Sequence, residues 1–446
     1  MWVSPWSPVR SYVLSDKIRV RLVSYCFPIQ RLRISYIDAW RKMRVLIAHN
    51  RYQQSGGEDI VVAAESDMLR AHGHTVDRLN VDNDHIQGAL SRITASFGSI
   101  YSLQSKQLMK RAIEDARPDA VHIHNFFPTL SPSVFYACAE AGVPVIHTLH
   151  NYRILCASAT LFRDGHICEE CVSRRSIVPG IRHACYRSSR MGSAVAGLGM
   201  ALHDQIGTWA SKVSAFIALS SFAADKLGGF RIPRDKIFVK PNSAVDRGLG
   251  TGDGSYALFV GRLTAEKGVQ TLIDADAAGE LCMDVVVLGD GPLIDDLQRA
   301  AERPGSRLIS KGFVKHDRIL DFMRSARVLI MPSLWYEGGL PLVIIEAFSL
   351  GLPVIGADVG NTGAVVQHGE TGLLYPAGDH HALSSTLAWY AQNPAAAQHM
   401  RQSARAYYLA THTPEKNYQR LIEIYQGSIT SAVGRESLPV YDRELP

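Results

Sequence analysis

Apolar residues fall along this chain in short runs separated by longer stretches of helix-period polarity, and the alternation begins at Met43. Arg44–His49, Thr75–Leu79, Ala120–His124, Pro144–His147, Ala215–Leu219 and Ile237–Lys240 are such runs. Their length and near-continuous apolarity suit strands buried on both faces of a parallel sheet. The intervening pattern predicts helices over 55–72, 106–116, 131–141 and 201–212, and a short one from Ser221. The rhythm then restarts, with strands at Tyr256–Val260, Asp284–Leu288, Arg307–Ile309 and Arg327–Met331. Helices are expected over 267–275, 292–302 and 316–325, and from about Pro341. Two successive βα runs predict two doubly wound parallel-sheet domains, 43–240 and 255–410, facing a cleft. Residues 241–254 join them, with 241–246 the hinge candidate and the glycines from Gly248 to Gly254 a mobile loop. A terminal helix over 411–427 packs last, with a return onto the first domain as one expectation, and 428–446 reads as a tail.

Composition narrows this little. At 446 residues the chain exceeds one compact core, and 46% hydrophobic with 20% charged residues describes a globular protein. No apolar run approaches a membrane span. The net charge of +5 suits anionic substrates or an anionic membrane surface and is too weak to argue for nucleic acid. Seven scattered cysteines do not make a secreted disulfide scaffold, so the chain reads as cytosolic, with the inner face of the membrane as its expected place of work. Residues 1–42 differ from the rest: eight Lys or Arg against two acids, two tryptophans and no clear period. They read as a loose basic extension, a non-native start ahead of Met43 or a membrane-surface segment, and not as a signal peptide.

The chemistry concentrates where strands end. In Met331–Pro353 a strand runs into Trp335-Tyr336-Glu337-Gly338-Gly339-Leu340, and a helix then opens near Pro341 and carries Glu346 on an otherwise apolar run. A helix start entered from a glycine-rich loop offers unpaired N–H groups and a positive dipole end to an anion. Glu346 needs a partner, because an unpaired buried charge is expensive. Gly261-Arg262-Leu263-Thr264-Ala265-Glu266-Lys267-Gly268 places two cations beside another helix start, and charged hydrogen bonds from such groups contribute about 1.5–3 kcal/mol each. Gly289-Asp290-Gly291-Pro292 also turns a strand into a helix, but it lacks the third glycine of a dinucleotide fingerprint. Taken alone, each segment is also compatible with a capped turn or a salt-bridged surface loop.

Together these segments resemble the retaining family 4 glycosyltransferases of the GT-B fold, over most of residues 43–426. The resemblance implies that Glu337 contacts the donor sugar and Glu346 the ribose, although the interval between them is eight residues here against the family's seven. It implies that Arg262 and Lys267, after Gly261, grip the donor pyrophosphate. Gly289 and Gly291 would rim the nucleotide pocket, and the backbone of Phe313-Val314, after Gly312, would meet the base. Gly56-Gly57, just past the first strand, would lie against the donor phosphates or the acceptor, where glycine lets the backbone come close. Gly338, Gly339 and Leu340 complete the donor set.

His49, His124 and His150 each end a strand, the edge where ligands meet doubly wound domains. Any one of them alone is as well explained by a satisfied buried histidine. Alternation puts His122 and His124 on one face, and His124 lies nearer the exit; its position resembles the family's acceptor-side histidine, with His150 the second candidate. Cys156, Cys168, Cys171 and Cys185 form C-x11-C-x2-C-x13-C inside an insertion, 151–190, rich in Arg, Gly and His. That spacing fits a structural zinc, four free thiols or two reducible pairs.

The expected activity is retaining transfer of a hexose from a nucleoside-diphosphate sugar to an acceptor hydroxyl. Arg262, Lys267, Glu337 and His124 carry the chemistry and no catalytic metal is needed, as the family implies. The expected acceptor is a glycan, lipid-linked, in surface polysaccharide synthesis. A GT-B sugar-nucleotide epimerase or hydrolase and a non-catalytic assembly subunit are the competing readings. A dinucleotide-dependent dehydrogenase is disfavoured by the missing fingerprint.

Overall fold

The computed structural model describes residues 42–51, 56–82, 98–228 and 231–432. The basic extension ahead of residue 42 and the last fourteen positions of the expected tail therefore lie outside the described residues. In chain order the strands are β1 (Arg44–Arg51), β2 (Thr75–Asp82), β3 (Ala120–Asn125), β4 (Val145–Leu149), β5 (Phe162–Arg163), β6 (His166–Ile167), β7 (Ala215–Ala218) and β8 (Ile237–Val239). They continue as β9 (Tyr256–Val260), β10 (Asp284–Leu288), β11 (Leu308–Ser310), β12 (Val328–Met331), β13 (Val354–Ala357) and β14 (Gly372–Tyr375).

Two six-stranded sheets result, ordered β2-β1-β3-β4-β7-β8 and β11-β10-β9-β12-β13-β14. Every strand pair within them is parallel. β3, β4, β7, β12 and β13 are buried at every position because helices cover both faces, and they are mainly apolar apart from His122, His124 and Asn125 of β3 and His147 and Thr148 of β4. The β1–β3 register slips between Ala48 and His49, so that His49 pairs with Asn125. An irregularity at the exit of β3 re-aims the side chains beside it, and the residue it skips is His124.

Several elements differ from the sequence pattern. The helix expected over 201–212 is two, Arg190–Gln205 and Thr208–Lys212, broken at Gly207 in the left-handed region. The Gly248–Gly254 stretch, expected to be mobile, is pinned: the Gly250, Gly252 and Gly254 N–H groups donate to the Leu350, Arg324 and Ser325 carbonyls at 2.9, 2.9 and 2.8 Å. Beside it, Arg405 donates to both Asp246 carboxylate oxygens at 2.8 and 2.7 Å.

The last helix, Pro414–Ala432, runs five residues beyond Gly427, where a tail was expected to begin. It returns to the first domain, and Tyr418, Leu421, Ile422 and Tyr425 pack with Met43, Val45, Ile47 and Ile217. Each large apolar side chain buried there contributes about 1.5–3 kcal/mol. The Tyr425 and Tyr418 hydroxyls reach His122 and His74, each at 2.8 Å.

Candidate active site

At the carboxyl edge of the second sheet, four loops are laced together by their backbones. The Gly261 and Leu263 N–H groups donate to the Leu288 and Asp290 carbonyls at 3.0 and 2.9 Å. Gly289 N–H donates to Gly312 O at 2.9 Å, and Leu334 N–H to Glu266 O at 2.8 Å. The approach is close enough to demand glycine: a Cβ at position 289 would stand 1.8 Å from Gly261 O. Gly291 likewise lies against Leu263. The loops after β9, β10, β11 and β12 thus form one continuous rim.

On that rim Lys267 Nζ lies 2.7 and 2.8 Å from the two Glu337 carboxylate oxygens. Glu337 is buried and has a φ of 56°, in the left-handed region. Ser333 donates to its Oε1 at 2.8 Å, and Asn361 donates to the Tyr336 and Glu337 carbonyls at 3.0 Å each. These bonds hold a backbone conformation that a glutamate adopts only when its surroundings impose it. Arg262 turns to solvent and reaches Glu266 at 3.6 Å. Glu346, on the helix Leu342–Ser349, finds the partner its setting requires in His316 at 3.4 Å. Burial raises the Glu346 carboxyl, and His316 and Arg247 pull it the other way. Leu340 is buried in the second domain's core, Val314 is half-buried against it, and Phe313 is 75% exposed.

In the first domain the strand-end histidines sit on a buried charged group that the sequence reading missed. Glu65, from the helix Gly57–Ala71, accepts from Lys240 Nζ at 2.5 Å, and its other oxygen lies 3.3 Å from His124 Nε2. His124 Nδ1 is 3.0 Å from His150 Nε2, so the structure brings the two acceptor-side candidates into contact. His122 lies beside the same carboxylate, 3.7 Å from Glu65 Oε2, but hydrogen-bonds to Thr148 at 2.7 Å and to Tyr425. Burial works against an ionised Glu65, but the Lys240 ammonium and His124 outweigh it and hold the carboxyl well below its usual range. Burial keeps His150 and His122 well below theirs, hence neutral near pH 7.

Glu65, His122 and His124 bring ligand atoms within 4.8 Å of one another, a spacing that suits a cation. Lys240 already supplies that positive charge, so the cluster is an ion pair with histidine partners. His124, His150, Asn151 and Arg153 line a hollow of about 350 Å³ beside it. A charged residue on the apolar Ile60–Ser66 stretch was the signal available for Glu65; Lys240, Ser333 and Asn361 had none.

The two domains meet at the donor-loop glycines. A Cβ at Gly338 would stand 2.2 Å from His150 O, and one at Gly339 2.5 Å from Leu219 Cδ1. A Cβ at Gly57 would stand 3.7 Å from Leu342 Cδ1, while one at Gly56 would have nothing within 4 Å. Tyr336 stacks edge-on against Phe222, with ring centroids 4.9 Å apart, and Ser220 donates to Asn361. None of the four insertion cysteines is disulfide-bonded, and all four line one cavity.

Comparison with known proteins shows the family and the fold. The sequence model described as Glycosyltransferase Family 4 matches residues 55–244, and that described as Glycosyl transferases group 1 matches residues 246–407. The chain is 25% identical over 324 residues to α-D-kanosaminyltransferase of Streptomyces kanamyceticus, covering 69% of this chain and 76% of that protein. It is 24% identical over 264 residues to the putative teichuronic acid biosynthesis glycosyltransferase TuaC of Bacillus subtilis, covering 59% of each. Among solved structures, HepE from Anabaena in complex with UDP-glucose superposes with a TM-score of 0.60 at 16% identity, over 86% of this chain and 99% of that one. Sucrose-phosphate synthase from Thermosynechococcus elongatus gives 0.63 at 18%, over 87% and 100%.

Proposed function

The chain belongs to the GT-B glycosyltransferases, with a family 4 first half and a group 1 second half, and from that premise we propose that it is a retaining hexosyltransferase using a nucleoside-diphosphate sugar. The observation that carries this is the Lys267–Glu337 pair, held on a rim of glycine turns whose Gly338 packs against the backbone of His150, the partner of His124. As the sugar becomes oxocarbenium-like, negative charge builds on the leaving diphosphate. Lys267, Arg262 and the free N–H groups opening the helix at Leu342 stabilise that charge. Glu337 orients the sugar hydroxyls and Glu346 the ribose, and the base rests against Phe313-Val314, Gly289 and Gly291. The acceptor hydroxyl enters beside His124 and His150 and attacks the face the diphosphate leaves, with a phosphate oxygen taking its proton. Contact between the two domains at Gly338 and Gly339 excludes water.

The acceptor we propose is a lipid-linked glycan of surface polysaccharide, met at the cytoplasmic membrane face. Among the described residues no helix is long and apolar enough to cross a membrane. The helix Arg190–Gln205 and its cap nevertheless expose Met191, Leu198, Leu202 and Ile206 on one side, a stripe suited to lying on a bilayer. UDP-sugars are the first donors to test, since the HepE structure holds UDP-glucose.

The test is incubation of the full chain with UDP- and GDP-hexoses and polyprenyl-linked acceptors, following nucleotide release and the anomeric configuration of the product by NMR. Transfer with retention supports the proposal. An inverted product removes the retaining mechanism, and an epimerised donor without acceptor removes the transfer.

A further inference from the structure

We propose that Cys156, Cys168, Cys171 and Cys185 bind one zinc ion that staples the 151–190 insertion into the wall of the cleft. Their convergence carries the proposal: three separate pieces of chain, one of them bearing the close pair Cys168 and Cys171, deliver four thiols to one cavity. Cys156 ends the turn after β4, its N–H donating to Tyr152 O at 2.9 Å. Cys168 follows β6 and donates to Leu161 O at 2.8 Å, and Cys171 lies in the turn of helix Glu170–Ser173. Cys185 comes from beyond the helix Val178–Arg182, bonded to Gly180 O at 3.0 Å. A close C-x2-C pair on a tight turn, completed by two distant cysteines, is the ligand pattern of a tetrahedral zinc-thiolate site.

The segment also needs a cross-link. Its strands are two residues each and its helices four and five residues. Of the ten non-glycine residues with positive φ among the described residues, seven fall between Ala159 and Ser188. So short and strained a segment gains little from its own secondary structure. It nevertheless delivers Tyr152, Ile154 and Leu161, all almost fully buried, to the first domain's core.

The chemistry favours one divalent ion over a pair of disulfides. Arg163 lines the same cavity, and its charge offsets part of the two negative charges left by four thiolates around a divalent ion, for which neutral disulfides have no use. The four sulfurs are not among the groups of three whose ligand atoms already lie within 4.8 Å of one another. Binding therefore draws them inward to about 2.3 Å from the metal. The site touches none of the reacting groups. Its influence passes through Glu169, which accepts from Lys226 at 2.5 Å, and through Lys226, which lies 4.8 Å from the centre of the Tyr336 ring, next to Glu337.

The experiment is metal analysis of the full chain purified without chelators, together with thiol counting. We expect one zinc per chain, released when a mercurial titrates four thiols, and loss of that zinc in Cys168→Ser and Cys171→Ser. Cobalt in its place should show the absorption of a tetrahedral thiolate site. Iron with acid-labile sulfide, two disulfides by mass, or four freely reactive thiols with no bound metal would each overturn the proposal. The wild-type measurements decide it even where a serine variant fails to fold. None of the readouts uses transfer activity, so the outcome is independent of the proposed reaction.

Discussion

The Lys267 ammonium lies within 2.8 Å of both Glu337 carboxylate oxygens, joining the loop after β9 to the loop after β12. Glu337 is 5% exposed, so this cation is what makes its burial tolerable. In the proposed reaction this one side chain both neutralises the Glu337 carboxylate and presents charge to the leaving diphosphate.

Removing the cation separates the two roles. Lys267→Ala should lower kcat by about 10²–10³, the loss typical of one group facing transition-state charge. Stability should fall as well, since Glu337 keeps only Ser333 as a side-chain partner. Lys267→Ala with Glu337→Gln should recover stability without recovering turnover. Steady-state kinetics and urea melts of the two variants check this, and full activity in Lys267→Ala would undo the assignment.

Glu346→Ala should weaken nucleotide binding by about 10–100-fold, equivalent to losing a charged hydrogen bond of roughly 1.5–3 kcal/mol. Titration calorimetry with UDP reads the effect. Unchanged affinity would leave Glu346 as no more than the partner of His316.

Gly338→Ala should cut activity by tenfold or more (~1.4 kcal/mol or more on the barrier), because the new methyl would meet His150 O at 2.2 Å and push the donor loop off the first domain. Gly98→Ala, away from the site and with nothing within 4 Å of its Cβ, is the matched control. Equal activity of both variants would show that the loop contact has no part in turnover.

Lys240→Met should destabilise the protein by about 3–5 kcal/mol, the usual cost of leaving a buried charge unpaired. Glu65 would lose its 2.5 Å partner, and Asn417 a donor at 3.2 Å. Adding Glu65→Gln should recover much of the loss. Urea midpoints of the single and double variants test the pairing.

Acid should weaken the fold through its buried imidazoles. Burial lowers His147 and His412 to about 4, from an ordinary value near 6.5. The unfolded chain takes up these protons first as pH falls, so the stability present above pH 6.5 is lost between about 6.5 and 4. Each group contributes at most about 1.4 kcal/mol per pH unit in that window. His147→Asn keeps a donor for Ile123 O, which lies 2.8 Å from His147 Nδ1, and should flatten the slope of melting temperature against pH.

Sequence alone determined the two parallel-sheet domains, because strands buried on both faces must be apolar runs. It also marked the glycine turns, because only glycine tolerates Gly261 O or His150 O at such close range. What it could not determine was pairing at a distance. Glu65 and Lys240 stand far apart in the chain, each unremarkable in its own segment, and they became one ion pair only when the helix Gly57–Ala71 packed beside the exit of β8. Nor could it show that His124 faces His150 while His122, two positions earlier on the same strand face, turns to Tyr425 of the last helix. A slip in β1–β3 pairing and a helix returning from the far end of the chain decided that, and both depend on packing, which local pattern does not encode.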